Sequence, residues 1–560
     1  MRKNPKWKNW LQWYEVNGGS RTIKDQYREL LRKYNRSSLL VLCAQLSVAF
    51  AYGPEGETSA NDELTKRLIV WLFPPGLVSK INEFAKQDRI IFFQAQLRYI
   101  AAEVIRLGAD ITEKLPAIEN FDVGELLLRA SELMYLKHPD QPDPFDQLAN
   151  RISQFLPIYE IDLPNDPFML QLRFYIFLTV IIPRLPPEKR IFDIDKLFKD
   201  HFGFELTTFR QFMYAFGMHA LMMRMDEKPS RGTEDCGLRV STFKNATVSH
   251  EQINAMFATV SFSWENLKGA KETKGYANFD FLKDQPYFLF KEALYCLDYE
   301  FGMGKLESSV IWRIVKRTMD KNKGDEYLGF WGYVFEDYVA WLFETYSLPR
   351  FNKVYPSPKY IDDPSKEICD TIIICGSTAI LIESKLATCA SIVRYGGDYA
   401  AMRDFLEERL VTTVGVRQLR TAIDNLTSLP AQCLPVWLAG VTKLIPVIIT
   451  KDDIGSCWYV NKYLNDRFEV DLNRKKYKGI SICPLVSMSI ASLERCMKEL
   501  KSRHFSDVLE QRIRANRDMI WTFEMASKYV DRGPARDLPE HVAILHRYSE
   551  EMISGLGIHD

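Results

Sequence analysis

The sequence predicts an α+β protein. A large all-α N-terminal region (1–225) should be followed by a connector with short extended and helical pieces (226–325). An α/β unit with a mixed sheet flanked by helices (326–500) and C-terminal helices (501–560) complete it. Three observations carry this division. Apolar residues recur at three-to-four spacing in the first 225 residues. From 368 to 385 the pattern becomes two apolar strands around a tight turn. Further strands, Leu444 to Thr450 and Ile480 to Val486, then alternate with helical stretches, which implies a sheet covered on both faces.

The elements follow in order. Trp7, Trp10, Leu11 and Tyr14 share one helical face, as do Leu30, Leu31 and Tyr34. Asp166-Pro167 is a helix start, aspartate as cap and proline in the first turn, and Pro183 is expected to stop that helix after Ile182. Thr207 or Thr208 can cap a helix carrying Phe209, Phe212, Met213, Phe216 and Met218, a stripe that reads as packed core. Between Asp226 and His250, Pro229, Gly232, Gly237 and several serines break the pattern and suggest a long loop or connector. Phe279 to Asp298 reads as short extended pieces around Pro286. A helix over Gly329 to Tyr346 buries Trp331, Val334, Phe335, Tyr338, Val339 and Leu342. After the hairpin come a polar loop (Arg394 to Asp398), one long helix over 403–427, and a last helix capped by Ser489 or Ser492.

Bulk properties narrow the class. At 560 residues, 46% hydrophobic and 13% aromatic, the chain can build several sizeable cores. Formal net charge is zero, so any nucleic-acid surface has to be local. The ten cysteines contain no Cys-x-x-Cys pair, and no apolar signal core follows the basic N-terminus, so a cytoplasmic, reduced protein is expected. The longest largely apolar run, Phe174 to Ile182, is too short to span a bilayer, so no membrane is expected.

The chemistry concentrates in Ile368 to Lys385. Gly376-Ser377 is a two-residue hairpin signal, because glycine supplies the positive φ of the first turn position. With that turn, Cys375 faces Thr378 and, counting outward, Asp370 faces Glu383. Lys385 points to the same side two residues on. Two carboxylates and an ammonium therefore converge at one end of an otherwise apolar hairpin. Opposed like charges repel unless a cation sits between them, and a hard divalent ion is the obvious candidate.

The order helix with Gly332-x-x-x-Glu336, strand with Asp370, strand with Glu383-Ser384-Lys385, then helix with Gln418, resembles the PD-(D/E)xK (restriction-endonuclease-like) nuclease superfamily over about 330–450. A lone Glu-x-Lys carries almost no information; its place at the end of an apolar strand, with an acid across a turn, is far more specific. The resemblance implies a Mg²⁺-dependent (endo)deoxyribonuclease, with Mn²⁺ able to substitute. It implies that Asp370 and Glu383 hold the metal, Glu336 assists there, Lys385 activates or positions water, and Gln418 contacts the lysine region or DNA. Asp362-Asp363-Pro364 also precedes the strand, but hairpin counting favours Asp370. The architecture further resembles prokaryotic restriction and antiphage defence effectors, whose N-terminal region would recognise a target, bind a partner protein or homo-oligomerise.

Each residue also has a plainer reading. Asp370, Glu383 and Lys385 can form a cross-strand ion cluster, although two acids against one base are unbalanced without a metal. Glu336 alone would be a surface helix residue, and Gln418 a satisfied core amide. The basic segment Lys305 to Lys323, with Arg313, Lys316 and Arg317, is either a phosphate-binding helix or a solvated face. Gly53-Pro-Glu-Gly56 and Gly302-Met-Gly304-Lys305 are incomplete phosphate loops, and His250-Glu251 lacks the second histidine of a zinc-protease helix. Two other functions stay open: a catalytically idle nuclease-like DNA-binding or scaffold protein, and an RNA-directed nuclease.

Overall fold

The computed structural model describes residues 11–51, 63–87, 91–109, 115–116, 118–134, 167–225, 237–243, 248–267, 279–315, 319–390, 393–394, 399–470, 472, 477, 479–515 and 537–556. The described residues form an α+β fold with two sheets. The smaller one contains β1 (Leu238–Arg239), β2 (Ser261–Phe262), β3 (Tyr287–Phe290) and β4 (Ala293–Cys296), in the order β1-β4-β3-β2. The larger one contains β5 (Lys353–Pro356), β6 (Thr371–Cys375), β7 (Thr378–Lys385), β8 (Lys443–Thr450), β9 (Ser481–Ile482) and β10 (Val486–Ser489). Its order is β10-β8-β7-β6-β5, with β9 also on β8. Strands β5 to β7 are antiparallel neighbours, while β7, β8 and β10 run parallel, so the sheet is mixed.

Alternation along the strands splits the apolar side chains between two layers. Ile373, Cys375, Ile380, Ile382, Ile445, Val447 and Ile449 face a core shared with the helix Lys321–Tyr346. Ile372, Ala379, Leu381, Leu444 and Ile448 face the helices Tyr399–Leu406, Val416–Ser428 and Trp458–Val470. The stripe expected for Gly329 to Tyr346 is buried as read, and the helix starts earlier, at Lys321, capped by Asp320.

Several boundaries differ from the sequence reading, each for a local reason. Pro183 does not stop its helix. Pro167–Ile176 continues through a π turn, Phe177–Ile181, and ends at Arg184. The widened turn leaves room for the proline ring. The helix Leu206–Met225 starts ahead of both threonines, which lie inside its first turn. The long helix expected over 403–427 is broken: a π turn at Glu407–Thr412 follows Tyr399–Leu406, and a new helix begins at Val416. Gly415 makes the break, with φ +65° and the Leu410 carbonyl oxygen only 2.5 Å from where a Cβ would stand. Ile480 to Val486 is two short strands because Pro484 interrupts the ladder. Ser489 caps Ile490–Cys496 as expected, accepting from Ser492 N–H. The Trp7/Trp10 face, Asp166 and residues 395–398 of the polar loop lie outside the described residues.

The packing does not divide at 225. The described residues between 11 and 134 share a core with the small sheet. The described residues from 169 to 257 share another, which also takes in Tyr287 and Leu294, with Lys321–Tyr346, one face of the large sheet, and the C-terminal helices Phe505–Ala515 and Pro539–Leu556. Phe174 stacks on Trp331, and Phe177 meets Tyr338 edge-on. At the centre, buried Arg173 binds buried Glu494 through two bonds of 2.7 and 2.9 Å, and Tyr338 donates to the same carboxylate at 2.7 Å. Burial works against the Glu494 charge, but Arg173 outweighs it and holds the carboxyl below the usual glutamate range. Among the described residues no helix is long and apolar enough to cross a membrane.

This packing predicts that residues 251–560 expressed alone will not fold, because α-helical residues 167–225 complete their core. Arg173→Ala in the full chain should destabilise it by about 3–5 kcal/mol, the usual effect of leaving a buried charge unpaired. Circular dichroism and denaturant melts check both. A cooperatively folding 251–560 fragment would restore the boundary at 225.

Candidate active site

The hairpin forms as counted. Cys375 pairs with Thr378 and Thr371 with Ile382, so one further step puts Asp370 across from Glu383. Gly376 has φ +61°, the positive value this turn demands. Asp370 sits immediately before β6, and its backbone carbonyl accepts from Ser357 N–H at 2.8 Å. Parallel pairing of β7 with β8 continues through Lys385 opposite Thr450, so the charged end of β7 is held by β8 beyond the point where its pairing with β6 ends at Ile382.

The side chains meet there. Lys385 Nζ lies 2.6 Å from Glu383 Oε2 and 3.5 Å from Asp370 Oδ2. Asp370 Oδ2 also accepts from the Ser384 N–H at 2.6 Å, and the Asp370 charge acts on the Glu383 carboxyl across the hairpin. Glu336 comes from the Lys321–Tyr346 helix, close enough for Asp370, Lys385 and Glu383 all to act on it. The structure thus brings together four of the five residues singled out for catalysis.

Their electrostatics are those of a site short of positive charge. Burial, and then the Asp370 charge, push the Glu383 carboxyl up to about 8 from 4.5. The same two causes push Glu336 up to about 8. Burial works against the Lys385 ammonium, but Asp370 and Glu383 outweigh it and hold its pKa above the ordinary lysine value. One ammonium is therefore kept charged and matches a single carboxylate, so the other two acids stay largely protonated at neutral pH and ionise together only if further positive charge is added.

Carboxylate oxygens are the donors a hard divalent cation prefers. Among the described residues no group of three or more His, Cys, Asp or Glu side chains is gathered as a metal cage. Magnesium ordinarily binds through one or two carboxylates and keeps several waters, so an opposed Asp370/Glu383 pair with Glu336 alongside suits it as an open site.

The other expected site residues are placed differently. Gln418 Oε1 accepts from Gly415 N–H at 2.8 Å, capping the start of its own helix after the break. Its carbonyl is thus committed to a structural bond that a continuous helix would not need. Asp363 is bonded to its neighbours Ser365 and Lys366 on the surface, away from the hairpin pairing that selects Asp370. Arg313 donates to the Thr259 carbonyl and lies over the Phe202 ring. Lys305 is buried against Asp284, and Glu307 pairs with Lys451. Residues 305–315 of this segment are therefore built into the interior instead of forming a solvated basic face, whereas Lys321 and Lys323 are exposed; Lys316 and Arg317 lie outside the described residues. Lys189, which carries no motif, also acts on Glu336. It sits well over a hundred residues upstream, so no spacing rule links it to the site.

No protein-family model, no curated protein and no solved structure matches the chain.

The raised carboxyls predict a pH dependence. In metal-free protein the folded chain keeps protons that the unfolded chain loses between about 4.5 and about 8. Folded protein then binds more protons than unfolded protein, so stability is greatest below that window and falls as pH rises through it. The fall should be on the order of 2–4 kcal/mol. Glu383→Gln should remove much of it. Denaturant melts with a chelator across this pH range make the check, and an equally steep fall in the variant would contradict it.

Proposed function

We propose that this protein is a divalent-cation-dependent nuclease that hydrolyses phosphodiester bonds in DNA. The observation that carries the reading is the convergence of Asp370, Glu383, Lys385 and Glu336 at the end of β6 and β7. Asp370 and Glu383 are the residues that would hold Mg²⁺ or Mn²⁺, with Glu336 beside them. A bound divalent cation supplies Lewis-acid stabilisation of a phosphoryl oxygen and a water of lowered pKa.

The chain's own residues set the rest. Lys385 remains an ammonium at neutral pH and can donate to a phosphate oxygen as negative charge develops on it. Glu383 and Glu336 tend to hold protons when no cation compensates them, so the acids are electrostatically mismatched by themselves and relieved by added positive charge. An acid pair kept only for structure would be better served by a matched base or by apolar residues. A site of this kind attached to a large helical body suits a restriction or antiphage effector, in which that body selects the target or restrains cleavage.

Purified protein incubated with plasmid, linear and single-stranded DNA and RNA, with Mg²⁺, Mn²⁺ or chelator, tests this. DNA should be cut only with the metal. Glu383→Ala and Lys385→Ala should each lower cleavage by roughly 10²–10⁴-fold while the proteins stay folded. Glu336→Ala should lower it less, by about 10–100-fold, as for groups that support a metal site. A folded Glu383→Ala/Lys385→Ala double variant with full activity would move the chemistry elsewhere. Wild type that binds DNA but never cuts it would make this an idle nuclease-like module.

A further inference from the structure

Lys189 belongs to the helical part of the chain far upstream of the hairpin. It ends a short 3₁₀ turn, Pro187–Lys189, that directly follows Pro186. Lys189 N–H donates to the Pro186 carbonyl at 2.9 Å, and Arg190 N–H to that of Pro187 at 3.1 Å. Consecutive prolines restrict the backbone before folding, so this turn presents its side chains from a stiff base.

The turn lies against the helix that carries Glu336. Lys189 Nζ stands 4.2 Å from the centre of the Tyr333 ring. Tyr333, Glu336 and Asp337 are three and four residues apart and so share one helical face. Arg184, just upstream, anchors the same connection, with Nε 3.6 Å from Asp337 and Nη2 2.6 Å from Glu344. Lys189 is half-buried, and Arg190 beside it is exposed.

The cations around the acids are therefore committed to different degrees. Lys385 is tied to Glu383 and Asp370, and Arg184 to Asp337 and Glu344. Among the described residues, no carboxylate comes within ion-pair distance of Lys189, whose ammonium rests on an aromatic face instead. A polyanion is held at a site lined by acids only if an uncommitted cation stands at its edge to meet a phosphate. We infer that Lys189 is a phosphodiester-binding residue, a cation supplied by the upstream helical part to hold a nucleic-acid backbone beside Glu336, Asp370 and Glu383. This rests on the nuclease reading above. It gives the helical part a direct place in substrate binding, through contact with phosphate and without base recognition.

The competing role is structural: an ammonium over an exposed tyrosine contributes about 0.5–1 kcal/mol and nothing more. Full-length Glu383→Gln protein, with and without Lys189→Ala or Lys189→Arg, separates the two. Binding of fluorescent DNA and RNA oligomers is measured by anisotropy over a range of KCl concentrations. Loss of one phosphate contact should lower the slope of log K against log salt by about 0.7–0.9 and weaken low-salt binding about tenfold for Lys189→Ala. Lys189→Arg should keep the slope, and thermal melts should be nearly the same for all. The DNA and RNA arms show which backbone is held. An unchanged slope in Lys189→Ala, beside a wild type that cleaves with Mg²⁺, overturns this inference and leaves the nuclease reading intact. A reduced slope beside a wild type that never cleaves supports Lys189 and overturns the nuclease reading. No nucleic-acid binding in the Lys189 parent overturns the inference outright.

Discussion

Lys385 holds Glu383 at 2.6 Å and reaches Asp370 at 3.5 Å, and the site depends on this contact between three charges on one hairpin end. The contact exists because Gly376 turns the chain in two residues, which fixes every pair outward to Asp370 and Glu383. A one-residue slip would send Glu383 to the other face and put Ser384 among the acids. Burial of both faces of the sheet resists such a slip, since it would also exchange Ile380 and Ile382 with Leu381 between two differently shaped cores. The core therefore enforces the register, and the register gathers acids that ionise together only if positive charge beyond Lys385 joins them.

The acids are held in place by their surroundings. Strand β8 pairs along the whole of β7. The Lys321–Tyr346 helix brings Glu336 in from another layer and is itself fixed by Tyr338 on the Arg173–Glu494 pair. The same pair links α-helical residues near 173 to the helix after β10, more than three hundred residues later in the chain. The helical part that precedes the sheet is thus part of the scaffold that holds the site, and through Lys189 it also borders the site.

Much of this is legible in the sequence, for identifiable reasons. The hairpin and its opposed acids follow from a two-residue turn and strict alternation, which are local rules, and both appear as read. The buried stripe of the Glu336 helix follows from spacing alone. What the sequence hides depends on contacts between distant parts of the chain. The boundary at 225 rests on composition, whereas Phe174 and Phe177 pack on Trp331 and Tyr338 across it. The basic segment reads as one exposed or binding face, but Lys305 and Arg313 have partners at Asp284 and Thr259 that only the tertiary fold supplies. Gln418 sits on the expected helix, yet the break at Gly415 turns its amide oxygen into a cap. Lys189 carries no local signal.

The central claim is that the Asp370/Glu383/Glu336 cluster is built to hold a divalent cation. Mn²⁺ binding followed by electron paramagnetic resonance on the intact protein at neutral pH, alongside proton release into a weakly buffered solution, tests it most directly. The account predicts saturable Mn²⁺ uptake that Mg²⁺ competes away, with protons released as it binds and both signals lost in Glu383→Gln. Folded wild-type protein that takes up no Mn²⁺, or takes it up unchanged in Glu383→Gln and without proton release, would contradict it.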